Sequence, residues 1–263
     1  MRELDRVVPA GARDSRTREH SSRADAWGPG RTGRDANAIG NGSDTMGVVT
    51  LQPGDVLHAQ TEHGLVMLRR RDDTVELIVN GIFAMDSEEV SSEIALADAV
   101  GPGPKRVLVG GLGLGYTPAR LLELGASRVD VVELAGPLLE WAAAGVTDQL
   151  ARIVADPRVR LHHADIADFV VSETGPWDAI CLDVDNGPTF LIHDGNERIY
   201  SPAMLALFRS RLAPGGAMLV WAEQPSPGLW RALRELDPGA TETILPTFRG
   251  ERTFNYALYE CRA

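Results

Sequence analysis

The chain has 263 residues, 44% of them hydrophobic and 24% charged, with a formal net charge of −11. This length supports one substantial core or a large domain with a small appendage, and the acidic balance argues against a nucleic-acid binder, which usually shows a basic footprint. No apolar run approaches the roughly 18–20 residues that span a bilayer, and no apolar leader opens the chain.

Two cysteines, Cys181 and Cys261, sit inside strand-like segments and make no disulfide framework. A cytoplasmic protein with no membrane partner is expected. Residues 1–45 are rich in Arg, Asp, Gly and Ser and show neither a helical nor a strand period, as expected of a disordered tail. Eight of the 26 basic and seven of the 37 acidic residues lie there, leaving 18 basic against 30 acidic in the rest, a net charge of about −12. Residues 46–86 alternate apolar and polar positions, with turn signals at Glu62-His63-Gly64, Asp72-Asp73 and Asn80-Gly81. They predict a small antiparallel β-domain. The segment SEEVSSEIALADAV then predicts a helix with Ser87 as its N-cap.

Residues 87–263 are expected to form one larger domain, in which strands and helices alternate from residue 105 onward. Strand candidates are 106–110, 128–133, 158–163, 178–183 and 216–222. Helical patterns occupy 117–124, 136–145, 148–154, 166–172, 202–212 and 228–236. Alternation at this spacing predicts βαβ units and a doubly wound α/β domain on a mostly parallel, seven-stranded sheet. The β-rich runs TETILPTF and RTFNYALYECRA predict a closing hairpin at the sheet edge.

The most patterned stretch is RVLVGGLGLGYTPARLL, residues 106–122. No Lys-Ser or Lys-Thr follows its glycines, so it is not a triphosphate loop. The spacing Gly111-x-Gly113-x-Gly115 is one residue tighter than the dinucleotide fingerprint. Thr117 as N-cap and Pro118 as first helical residue are expected to start the next helix. Acids end the following strands: Glu133 the second, Asp165 the third, Asp183 and Asp185 the fourth. In an open α/β sheet such ends converge on one crevice. A glycine loop with successive carboxylates suits a ligand carrying hydroxyls, an exocyclic amine and a positive charge. S-adenosylmethionine (SAM), with its ribose diol, adenine amine and sulfonium, has that chemistry, and no metal is expected.

With these residues in place, about 50–260 resemble the spermidine synthase family, aminopropyltransferases built on a class I methyltransferase-like domain behind an N-terminal β-domain. The resemblance runs through VNGIFAMDSEEVSSEIALADA, ADPRVRLHHADIADFV, PWDAICLD, RIYSPAMLALFRSRLAPGG and AEQPSP, in order and spacing. It implies that Glu133 holds the ribose and Asp165, with Ile166 beside it, the adenine. It also implies a donor that is either SAM or decarboxylated SAM, and a small polar or amine acceptor.

The departures fall at the reacting end. The family's loop aspartate aligns with Leu114. Its catalytic gate aspartate aligns with Asn186, with Asp185 one place earlier. Its Tyr-Gln-Glu after the β-domain aligns with Ser92, Glu93 and Ile94. Alkylation by a sulfonium requires acceptor, carbon and sulfur in line and an unprotonated acceptor amine. Asp183 is the expected neighbour of the sulfonium or donor amine, and Asp185 the candidate base. Residues 186–200 read as a lid, with His193 a solvated position in it, while Asn186, Tyr200, Glu223 and Gln224 are expected on the acceptor side. Leu114 favours methyl transfer from SAM slightly over aminopropyl transfer from decarboxylated SAM. A non-catalytic nucleoside-binding protein is a third reading, and a homo-oligomer is compatible with all three.

Overall fold

A computed structural model describes residues 50–184, 187, 194–249 and 252–263. The tail expected over 1–45 lies outside them. The first four strands, β1 (Val56–Thr61), β2 (Gly64–Arg71), β3 (Thr74–Val79) and β4 (Ile82–Asp86), form an antiparallel meander in sequential order. Its turns fall where the sequence signals them. At Asn80-Gly81 both residues have positive φ, 54° and 77°, which matches the right-handed strand twist. Asn80 Oδ1 also accepts the Leu65 N–H.

The helix α1 (Ser91–Asp98) starts three residues later than Ser87 predicts, with Val90 in the N-cap position. Ser87 is tied to β3 instead: its hydroxyl accepts the Val75 N–H, and its own N–H donates to the Val75 carbonyl. Asp86 Oδ1 accepts the N–H groups of Glu88 and Glu89, so the backbone donors that a Ser87 cap would have served are already paired.

The remainder alternates: β5 (Arg106–Gly110), α2 (Tyr116–Glu123), β6 (Arg128–Glu133), α3 (Gly136–Ala143), α4 (Asp148–Ala155), β7 (Val159–His163), α5 (Ile166–Ser172) and β8 (Trp177–Leu182). A 3₁₀ turn (Asp194–Tyr200), α6 (Pro202–Ser210), β9 (Leu212–Ala222), α7 (Pro227–Leu236), β10 (Thr241–Arg249) and β11 (Arg252–Arg262) complete it. The strand order is β10-β11-β9-β8-β5-β6-β7, parallel from β9 to β7, with β11 and β10 paired antiparallel at one edge. Apolar side chains alternate between two faces, as a doubly covered sheet requires. Val107, Val109, Cys181 and Leu219 pack with helices α2–α4 and the small sheet; Leu108, Ile180, Leu182 and Val220 pack with α5–α7. Among the described residues no helix is long and apolar enough to cross a membrane.

Candidate active site

At the carboxyl ends of the parallel strands lies a cavity walled on its far side by the small sheet. Its floor begins with the glycine loop. Gly111 has φ +92°, and a Cβ there would stand 2.2 Å from the Asp183 carbonyl oxygen. Only glycine lets the loop pass this close to the end of β8. Gly113 is similarly crowded, by the Met85 sulfur from β4. Gly115 has a different role. It is the left-handed N-cap of α2 and faces Ile153 and Leu150 of α4, away from the cavity.

Glu133 ends β6 and fastens the loop to the next helix. Its Oε2 accepts the Leu112 N–H at 2.8 Å, and its Oε1 accepts the Ala135 N–H at 2.7 Å. Burial pushes its carboxyl above the ordinary range, even though these amides favour the charged form. Asp165 caps α5, its Oδ1 accepting the Ala167 N–H, while Arg198 on the 3₁₀ turn donates to its Oδ2 at 2.7 Å and also pairs with Asp168. Ile166 is buried beside it and lines the same wall.

Asp183 projects from the end of β8 into the cavity. Burial pushes its carboxyl up to about 6, against the lowering effect of the Thr117 hydroxyl, which donates to Oδ2 at 2.7 Å. This overturns the expectation that Thr117 caps α2. The helix begins two residues earlier, behind Gly115, which frees the Thr117 hydroxyl for Asp183.

The sequence-derived residues therefore divide. Gly111, Gly113, Glu133, Asp165, Ile166 and Asp183 line one cavity. Tyr200 stands behind the lining, its hydroxyl donating to the Val184 carbonyl at 2.8 Å. Glu223 is half-buried and Gln224 exposed, and neither lines the cavity. Asp185, Asn186 and His193 lie outside the described residues. Sequence reasoning missed Met85, Asn196, Trp221 and Tyr256 as lining residues. The last two meet edge to face at 5.2 Å because β11 returns alongside β9. Leu114 is 2% exposed and packs into the core, with its N–H directed at the Met85 sulfur. The acid near the loop comes instead from Glu93 on α1, a lining residue whose charge, after burial itself, helps raise the phenol of Tyr116 at the start of α2. No group of metal-ligating side chains occurs among the described residues.

No family model matches the chain. It is 30% identical over 166 residues to the polyamine aminopropyltransferase of Mycobacterium tuberculosis, a match covering 61% of this chain and 31% of that protein. It is 32% identical over 124 residues to putrescine N-methyltransferase 3 of Nicotiana tabacum, covering 46% of this chain and 31% of that one. Each match thus spans about a third of the relative's length. Among solved structures it is similar to a spermidine synthase crystallised with the transition-state analogue AdoDATO, with a TM-score of 0.65 and 19% identity over 78% of this chain and 72% of that one. The class defined by sheet order and cavity is the methyltransferase-like α/β fold behind a small antiparallel sheet. Within that class the chain is similar in sequence, over part of their length, to polyamine aminopropyltransferases and to a putrescine N-methyltransferase.

Proposed function

We propose that the chain is a transferase that moves the aminopropyl group of decarboxylated SAM onto an amine. The observation that carries this is the charge of the cavity: Glu93, Glu133, Asp165 and Asp183 line it, and no Lys or Arg does among the described residues. SAM itself bears a carboxylate on its methionine arm, which would meet Glu93 and Asp183 at that end of the cavity. The decarboxylated donor keeps only the ammonium and sulfonium, both suited to such a field. Glu93 beside the loop compensates for the missing acid at Leu114.

In this reading Glu133 receives the ribose hydroxyls while its amide partners hold the loop against the nucleoside. Asp165 receives the adenine amine beside its contact with Arg198. The acceptor nitrogen's lone pair attacks the propyl carbon bonded to sulfur, and the C–S bond breaks with its electron pair going to sulfur. The products are neutral methylthioadenosine and a secondary ammonium, whose proton passes to Asp183 or solvent.

Methyl transfer from SAM is the second reading, favoured by Leu114 and by the similarity to a putrescine N-methyltransferase. The discriminating experiment incubates the protein with each donor and a mixture of putrescine, hexylamine and phenethylamine, then identifies products by mass spectrometry. Decarboxylated SAM is expected to yield an aminopropylated amine and methylthioadenosine. A methylated amine and S-adenosylhomocysteine from SAM alone would establish the second reading, and no product from either donor would refute both.

A further inference from the structure

Asp183 is held by two separate parts of the chain. Its backbone extends the ladder between β5 and β8: the Asp183 N–H donates to the Gly110 carbonyl at 3.0 Å, and its own carbonyl oxygen packs against Gly111. The strands thus place the Cα, while the side-chain torsions still have to choose a rotamer. That choice falls to α2, where the Thr117 hydroxyl donates to Oδ2 at 2.7 Å.

Thr117 is 2% exposed and does not line the cavity, so a ligand there meets it only through Asp183. It is the second residue of α2. A hydroxyl inside a helix commonly turns back to the carbonyl four residues earlier. Here that position is Gly113, before the helix begins, and the hydroxyl goes to the carboxylate. The β-branched side chain is stiff at χ1, which makes it a firm anchor. Other elements bring titratable groups to the cavity: His63 from the small sheet, Glu93 from α1, Glu133 from β6, Asp165 after β7 and the Tyr256 phenol from β11. Cys181, two residues back on β8, is a thiol pushed up by burial. Burial also raises the Asp183 carboxyl to about 6, and the Thr117 hydroxyl pulls against that rise.

From this geometry we propose that Thr117 is a positioning residue of the transfer reaction: by holding Oδ2 of Asp183 it presents Oδ1 to the acceptor nitrogen. The amine's lone pair attacks carbon and the C–S electrons go to sulfur. The proton released from nitrogen then passes to Oδ1, leaving a neutral amine product and a carboxylic acid. A carboxyl free to turn would lose the fixed approach that aligned attack requires. The hydroxyl also favours the ionised carboxyl over the protonated one, so its removal raises the pH at which the base becomes available.

This inference rests on the proposed transferase reading, and a short series of variants separates the two failures. kcat and KM are measured from about pH 5 to pH 9 with the donor and amine that the wild type turns over. Thr117→Val keeps the shape and removes the hydroxyl. It is expected to move the inflection near 6 upward by about one to two pH units, the equivalent of one hydrogen bond to a charged group. kcat should fall at neutral pH and recover at alkaline pH, while donor KM and the affinity for methylthioadenosine stay unchanged. Thr117→Ala should show the same shift without setting a methyl group against the carboxylate. Thr117→Ser, which keeps the donor, should restore the inflection. An inflection left at the wild-type pH in folded Thr117→Val and Thr117→Ala proteins, or a rate lowered equally at every pH, overturns the inference and leaves the transferase reading standing. A Thr117→Ser protein that behaves like Thr117→Val does the same. A wild type that alkylates no amine with either donor refutes the transferase reading itself, and this inference with it.

Discussion

Asp183→Asn is expected to abolish most transfer while making the unliganded protein more stable. The carboxamide oxygen can still accept the Thr117 hydroxyl, so the local geometry survives. What is lost is a buried negative charge facing the reacting centre, and with it a proton acceptor worth about 10²–10⁴-fold in rate. Stability moves the other way. The folded carboxyl titrates near 6 against an ordinary value of 3.8, because burial opposes the charged form. A raised acid stabilises the fold in its protonated state, so its contribution is fully present below about pH 4 and is lost as pH rises through 6. At about 1.4 kcal/mol per pH unit, the charged form costs the fold up to about 3 kcal/mol at pH 7. Removing it should raise Tm by roughly 4–10 °C at that pH, and the gain should vanish near pH 4. The wild-type kcat/KM should climb as pH rises through 6, when the carboxylate forms.

Asp130→Asn is expected to have the largest effect on stability, with no direct effect on the site. Asp130 lies mid-strand in β6, fully buried, on the side of the sheet away from Val129 and Val131. Arg106 donates to it at 3.0 Å, Arg128 at 2.7 Å, and His162 lies 3.1 Å away. Burial alone would raise its carboxyl, but hydrogen bonds from Arg128, His162 and Arg106 hold it below the ordinary range. This contribution is present above pH 3.8 and is lost as pH falls through the lower folded value. Losing one partner of a buried ion pair costs about 3–5 kcal/mol. Arg106 and Arg128 are 23% and 32% exposed and can recover some hydration, so about 3 kcal/mol is expected, or roughly 6–12 °C in Tm. Differential scanning calorimetry at pH 7 measures it, and affinity for methylthioadenosine below the transition should stay unchanged.

The contrast between these two aspartates shows what the sequence makes legible. Strand alternation and sheet class follow from apolar runs such as RVLVG and AICL, because strands buried on both faces leave no other pattern. The acidic rim of the cavity is legible for a related reason: acids at successive strand ends must converge once the sheet is parallel. Contacts that depend on distant segments are not legible. Thr117 meets Asp183 across 66 residues of chain, and helix-start rules alone assign it a cap. Arg198 meets Asp165 from a 3₁₀ turn that lies well downstream in the chain. Trp221 and Tyr256 meet because β11 inserts antiparallel between β9 and β10, a placement that the hairpin signal does not specify. The acid that faces the loop comes from Glu93, in a helix whose start was displaced by Asp86 and Ser87.

We propose above all that Gly111, Glu133 and Asp165 hold the nucleoside common to both candidate donors. Calorimetric titration with methylthioadenosine tests it most directly, because this ligand carries neither the transferable group nor the sulfonium charge. Saturable one-to-one binding is expected in the wild type. In Glu133→Gln, which turns an N–H donor toward the Leu112 or Ala135 amide, affinity should fall about 10- to 100-fold, the cost of roughly 1–3 kcal/mol for an unsatisfied buried group. Absence of binding by the wild type, or equal affinity in a folded Glu133→Gln protein, would contradict the account.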